Sequence, residues 1–480
     1  MNRAPRVLAT LVLTLLAGVS LLTATAHAKR YIYSCVLTPA QEAPTNATTG
    51  SGGGRFVIDT DANTVDFWIS YAGLSSAEVA AHIHGDALSS PGHNAGVLFN
   101  LPAGNPKVGT WNYSEAQEPM ILAGLCYANI HTTNNPGGEM RGQIVPLNAV
   151  LDQAQEFPTP PVASAGKGWM TATIDTVANT ISYYLSFSGL TGPVTGSHFH
   201  GSSNYTVPSL VQVALSVASS PASGTIGYNQ ADEAAILSGL WYVNLHTAAN
   251  PAGEIRGQLT PVVEPMDWTQ ETPATTATGS AGYVLTAIDT ASNTLGFDVH
   301  VLALSGAETA AHIHGYAPLG ANAGVLLPLA AGPRKIGTWT YPAANEADVL
   351  LGRTYINSHT AANPNGEIRA QMLFLPGVDA LLGVGDPPHV ATGLSAAPNP
   401  FGSRTSLTFQ LARTGTVSLS ILSVDGRLVR HVQPAIFAPG PHSYTWDGLD
   451  DGGRAAAPGV YFAVVRTPDG AHTTRLARLN

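Results

Sequence analysis

Of the 480 residues only 11% are charged, the formal net charge is −10, and no basic block or stripe occurs. That pattern excludes a protein that tracks nucleic-acid phosphates. Fifty glycines and 34 prolines favour many short strands joined by tight turns over long helices, and the length suits about three or four domains.

The N-terminus reads as an address. Arg3 and Arg6 supply positive charge, Val7 to Leu22 is mostly apolar, and Ala26-His27-Ala28 is a small-x-small cleavage site. This is the pattern of a secretory signal peptide over residues 1–28, with the mature chain beginning near Lys29. No other segment is apolar enough to span a bilayer, so the mature chain is expected to lack a transmembrane span. The only cysteines are Cys35 and Cys126. In an oxidising compartment such a pair is expected to form a disulfide.

An internal repeat of about 115 residues follows, dividing the chain into 29–147, 148–262 and 263–376. Each copy opens on Gln-Glu-x-Pro, at Gln41–Pro44, Gln155–Pro158 and Gln270–Pro273. Ile-Asp-Thr-x-x-Asn-Thr comes next, at Ile58–Thr64, Ile174–Thr180 and Ile288–Thr294. Its flanks alternate apolar and polar residues, which predicts a β-hairpin. His-x-His-Gly ends at Gly85, Gly201 and Gly315; Tyr-x-Asn-x-His-Thr begins at Tyr127, Tyr242 and Tyr355. Asn-Pro-x-Gly-Glu-x-Arg then ends at Arg141, Arg256 and Arg369, predicting a second hairpin across the Asn-Pro-x-Gly turn.

This set of motifs resembles the chordin-type (CHRD) domain, in three tandem copies over about 345 residues. The resemblance implies an antiparallel β-sandwich and an extracellular location. It does not imply growth-factor binding, which in chordin is attributed mainly to other modules.

Each repeat carries the same polar group. Side chains two apart on a strand share a face, so His82 pairs with His84, Asn129 with His131, and Glu139 with Arg141. The counterparts are His198, His200, Asn244, His246, Glu254 and Arg256, then His312, His314, Asn357, His359, Glu367 and Arg369. Two readings stand. In one, His82, His84, His131 and Glu139, and the same four in each other copy, form a zinc or copper site. His-x-His with a later His on a second strand is also similar to the copper side of Cu,Zn superoxide dismutases. In the other, the imidazoles donate to backbone carbonyls, and Glu139 pairs with Arg141 or Arg141 bridges to a neighbouring strand, all as structural polar residues. No catalytic constellation stands out.

Residues 377–394 read as a Gly/Pro/Asp-rich linker. Beyond it, Leu407–Leu411 and Val417–Leu422 alternate like strands, and Asp425-Gly426 marks a hairpin turn. Residues 395–480 resemble the C-terminal sorting domain of type IX secretion substrates and related FlgD-type immunoglobulin-like modules, although the tail Arg475–Asn480 departs from the usual Lys-containing ending. The resemblance implies contact with a secretion machinery and export from a Gram-negative bacterium. Asp447, Asp450 and Asp451 are either turn caps or a calcium cluster.

The sequence therefore predicts an all-β chain: an extended row of three sandwiches without a shared deep cleft, then an immunoglobulin-like sandwich. The leading functional expectation is a non-enzymatic secreted or surface binding and structural protein with an unidentified extracellular partner and no cofactor. The alternative is a copper or zinc protein, redox-active in one version.

Overall fold

A computed structural model describes residues 30–88, 90–374, 394–399, 401–411, 415–423, 427–438, 440–467 and 470–479. The signal sequence, the 377–394 linker up to residue 393 and the Asp425-Gly426 turn lie outside the described residues. The chain is all-β and antiparallel, with only short helical turns among the described residues.

Repeat 1 contains β1 (Arg30–Leu37), β2 (Ser51–Asp59), β3 (Thr64–Ala72), β4 (Glu78–Gly85), β5 (Val97–Asn100), β6 (Lys107–Asn112), β7 (Cys126–Thr132) and β8 (Met140–Ile144). They form two sheets, ordered β1-β2-β3-β6 and β5-β4-β7-β8. Alternation explains β3. Val65, Phe67, Ile69 and Tyr71 turn inward to the core between the sheets, where Phe56, Ile83, Ile130 and Met140 meet them. The β2–β3 turn is fixed locally: Asp59 Oδ1 accepts from the amides of Asp61 and Ala62, and Asn63 takes a positive φ of 53°. Asp175 with Asn179, and Asp289 with Asn293, rebuild that turn in the other copies. The repeated Ile-Asp-Thr-x-x-Asn-Thr is thus a turn formula. Repeats 2 and 3 keep the strand order, but a link between Asp152 and Arg256, or Asp267 and Arg369, joins their two sheets into one of eight strands.

Two expectations need correction. Cys35 and Cys126 are both buried free thiols. Strand β8 runs between them: β1 bridges it at Ser34–Val145 and Thr38–Arg141, while Cys126 pairs with Ile144 on its other edge. Nor are the repeats an extended row. Their first strands meet at a shared apolar cluster of Val36, Val150, Val263, Tyr283, Leu285 and Leu302. Tyr283 can enter because repeat 1 has Gly53 opposite; a Cβ there would lie 2.5 Å from that of Tyr283. Polar contacts seal the junctions. Trp68 Nε1 donates to Asp267 Oδ2 (2.8 Å), Asn148 Nδ2 to Ser34 O (3.0 Å), and Thr338 Oγ1 to Tyr205 O (3.0 Å). Arg334 joins Asp298 of its own repeat to Asp152 of repeat 2.

The C-terminal module has a three-stranded and a four-stranded sheet around Leu407, Ile421, Trp446, Ala463 and Leu476. Val460 and Phe462 face the other way and join the core of repeat 3. Asp447 and Asp450 accept from the backbone amides of Leu449 and Arg454, and Asp451 from that of His431. These are turn and loop caps.

Candidate functional site

The site lies on the outer face of the β5-β4-β7-β8 sheet. Register places His82, Asn129 and Arg141 in one cross-strand row, and His84, Tyr127 and Gln143 in the next. The intervening Ile83, Ala128 and Ile130 fill the core. Hence alternation alone puts three imidazoles on one side.

The triads are His82/His84/His131, His198/His200/His246 and His312/His314/His359; within each, one nitrogen per ring lies within 4.8 Å of the others. Their hydrogen bonds define which nitrogen each ring presents. His84 Nδ1 donates to Ala95 O (3.0 Å), and His131 Nδ1 to Pro136 O (3.0 Å). Both rings therefore turn an unprotonated Nε2 toward the site. His131 Nε2 meets His82 Nδ1 at 3.0 Å. His84 Nε2 is buried and has no hydrogen-bond partner among the described residues. The other repeats match: His200 and His314 donate to Ser209 O and Ala323 O, and His246 and His359 to Pro251 O and Pro364 O. His200 Nε2 and His314 Nε2 are left without partners in the same way.

Burial, first of all, holds the imidazoles of His84, His131, His200, His246, His314 and His359 below their ordinary pKa. They stay neutral, as ligands must be, at neutral pH. A carbonyl bonded to the far nitrogen of a ring fixes the tautomer and orientation of a metal-bound histidine.

Beneath each triad is a stacked column that sequence reading missed. Tyr127 lies parallel to His84 (ring centroids 5.0 Å apart, 2° between planes), and the Arg141 guanidinium sits 3.5 Å from the Tyr127 ring centre. Tyr242 with Arg256, and Tyr355 with Arg369, repeat the column under His200 and His314. Buried Arg141 also donates to His93 O (2.7 Å) and Ser90 O (3.0 Å), pinning the loop that carries Ala95. The Ala95 amide donates to the Tyr127 hydroxyl (3.0 Å). So Arg141 and Tyr127 hold the carbonyl that orients His84. The signal was present in the fixed spacing of Tyr and Arg around the histidine.

The carboxylates Glu139, Glu254 and Glu367 do not join the triads, contrary to the four-ligand expectation. The Glu139 amide bonds Ile130 O at the turn, so strand alternation does not extend to it. Its carboxylate accepts from the Ser75 amide and hydroxyl, Thr132 Oγ1 and Asn135 Nδ2. It is a loop clamp, and it does not pair with Arg141. A second carboxylate was overlooked. Glu42 of the opening motif is buried against Asn129 and Gly138, and desolvation raises its pKa to about 7. Glu156 and Glu271 are raised to about 8 and about 7 for the same reason.

The CHRD domain family matches residues 33–144, 147–259 and 264–372. The chain belongs to the CHRD domain family. A FlgD Ig-like domain matches residues 397–470. No curated protein matches the chain. Among solved structures, a dimeric latent PorU from Porphyromonas gingivalis aligns at 10% identity over 94% of this chain and 34% of PorU, with a TM-score of 0.17. PorZ, a surface component of the type-IX secretion system of the same organism, aligns at 10% identity over 89% of this chain and 69% of PorZ, with a TM-score of 0.15. A Salmonella alpha-2-macroglobulin mutant aligns at 9% identity over 95% of this chain and 38% of its own length, with a TM-score of 0.16. The chain thus spans about a third of the PorU it aligns with. In all three CHRD domains of this chain the triad and the column recur, and the clamp recurs with partly different donors: Glu254 takes Ser164 and Thr191, and Glu367 takes Ser280 and Ser305, where Glu139 takes Ser75.

Proposed function

We propose that this is an exported, non-enzymatic metal-binding protein that carries one copper or zinc ion in each CHRD domain. One observation carries the reading: in every repeat two Nε2 atoms, each fixed by a carbonyl on the opposite nitrogen, converge with one Nδ1. Purely structural histidines would not leave the same buried Nε2 partnerless three times. Metal–nitrogen bonds near 2.0–2.1 Å put tetrahedral ligands roughly 3.3 Å apart, close to the 3.0 Å between His82 and His131. An all-imidazole set suits copper or zinc over calcium or magnesium.

Elemental analysis of the purified mature protein after copper or zinc loading and desalting should find about three metals per chain. Either His84→Ala or His131→Ala should lower that by one while leaving the fold intact by circular dichroism. Loading no higher than that of a chain lacking all nine triad histidines would sink the reading.

Export is supported by the signal-like N-terminus and by the FlgD-type module at the other end. No helix among the described residues is long and apolar enough to cross a membrane. The C-terminal module acts in this proposal as a type IX sorting domain, read by a secretion machinery of a Gram-negative cell. Deleting residues 395–480 should leave the protein in the periplasm of a type IX-competent host. Unchanged appearance outside the cell would refute that role.

A further inference from the structure

We propose that repeat 3 contains a binding site for a small phenol, in a cleft that repeat 1 fills with its own tyrosine. In repeat 1 Tyr71 is buried at the end of β3, and its hydroxyl donates to Glu78. Lys107 completes the group: its ammonium bonds Glu78 Oε1 at 2.6 Å and lies 5.5 Å from the Tyr71 ring centre. Strand register gives the counterparts. Tyr71 faces Gly52 and Val301 faces Gly282; Glu78 faces Thr132 and Glu308 faces Thr360; Lys107 faces Ile69 and Lys335 faces Val299.

Repeat 3 therefore keeps the ion pair and loses the ring. Glu308 and Lys335 are joined at 2.9 Å, with side chains only 7% and 3% exposed. Where the phenol would be, a cleft of about 450 Å³ opens, lined by Val301, Leu304, Glu308, Ala331, Gly332 and Pro333. Repeat 2 shows what happens when no hydroxyl is to be bound. There the ring position is Phe187, and the ion pair is replaced by Val194 and Ala222. Phe187 and Ala222 both pack on the core. The charged pair accompanies a phenol and disappears with it, except in repeat 3.

The backbone serves part of the pair: the Gly332 amide donates to Glu308 Oε2 (2.7 Å) and Lys335 Nζ to Gly332 O (2.6 Å). That leaves Glu308 Oε1 with the Lys335 ammonium alone (2.9 Å), so a buried pair of this kind still gains from a further donor. A bound phenol would place its hydroxyl as donor to the Glu308 carboxylate, a charge-assisted bond. Its ring would lie near the Lys335 ammonium, as Tyr71 lies near Lys107. The remaining walls are apolar, and the volume falls in the range of small-molecule sites. No triad histidine lines this cleft, although the Glu308 charge reaches His359.

The test is a titration of the full chain with p-cresol and with toluene, followed by ligand-observed NMR and calorimetry. Saturable p-cresol binding is expected, with toluene at least about tenfold weaker because it cannot donate to Glu308. Val301→Tyr, which copies the arrangement of repeat 1, should abolish binding and keep the native circular dichroism. Should that variant fail to fold, Glu308→Gln decides: it should weaken p-cresol about tenfold and leave toluene unchanged. No saturable p-cresol binding up to about 10 mM, equal affinity for toluene, or undiminished binding by a folded Val301→Tyr protein would each overturn the proposal.

Discussion

Replacing Glu254 by alanine should destabilise repeat 2 by about 4 kcal/mol, since it strands several buried donors to a charged group at once. The Glu254 carboxylate is fully buried. It accepts from Ser164 Oγ, the Thr191 amide and hydroxyl, and Thr247 Oγ1, at 2.5–2.7 Å. These bonds tie the segment at 164, the loop at 191 and the end of the His246 strand to one point. They outweigh the desolvation that opposes ionisation and hold the carboxyl at a pKa of about 2. A folded-state pKa below the unfolded value means stability present above about pH 4.5 and lost as pH falls toward 2. Urea denaturation at pH 7 and at pH 3 checks this. The Glu254→Ala protein should be much weaker than the parent at pH 7, and the gap should narrow at pH 3. A gap that did not change with pH would show that Glu254 acts through packing alone.

Exchanging Glu42, Glu156 and Glu271 for glutamine should have the opposite effect and stabilise the protein at alkaline pH. In repeat 1, Glu42 Oε1 and Asn129 Oδ1 are both buried acceptors without a hydrogen-bond donor among the described residues. Gly138, at φ +132°, lets them approach; a Cβ there would lie 2.7 Å from both Glu42 oxygens and from Asn129 Oδ1. Burial raises the Glu42 pKa to about 7, against the opposing pull of the Arg141 charge and the Asn129 side chain; in repeat 2 Asn244 Nδ2 donates to the matching Glu156 Oε2 (3.3 Å). Here the folded-state pKa exceeds the unfolded one, so stability falls as pH rises from about 4.5 to about 7, and to about 8 for Glu156. At pH 8 this linkage costs about 3 kcal/mol at Glu42 and at Glu271 and about 4 kcal/mol at Glu156. Glutamine supplies the missing donor without the charge. The variant minus parent difference in thermal midpoint should be near zero at pH 5 and clearly positive at pH 8. Taking the difference removes the histidines, whose depressed pKa values weaken the fold as pH drops below about 6.5. A difference that is equal at both pH values would overturn the assignment.

Much of this was legible in the residues. Alternation in Thr64–Ala72, the Asp59 and Asn63 turn signals and the Asn-Pro-x-Gly hairpin each rest on interactions within a few residues of chain. The convergence of His82 and His84 with His131 needed only that two neighbouring strands expose the same face. Glu139 was misplaced because alternation fails at a turn, and the turn geometry depends on Ser75, far away in sequence. Glu42 escaped notice because a Gln-Glu-x-Pro segment looks solvated until its burial is known.

By itself, then, the sequence determined the repeat, the β class and the alternation that selects the histidine face. Those follow from local propensities and from a period of two. Only the tertiary structure decided the rest. It set the two thiols apart across β8, turned three sandwiches inward on Val36, Val150 and Val263, and stacked Arg141 on Tyr127 on His84. It also left the Glu308–Lys335 pair beside a cleft where repeat 1 has a ring. Each of these depends on which surfaces meet across long stretches of chain. Packing geometry and burial settle that, and no local pattern encodes it.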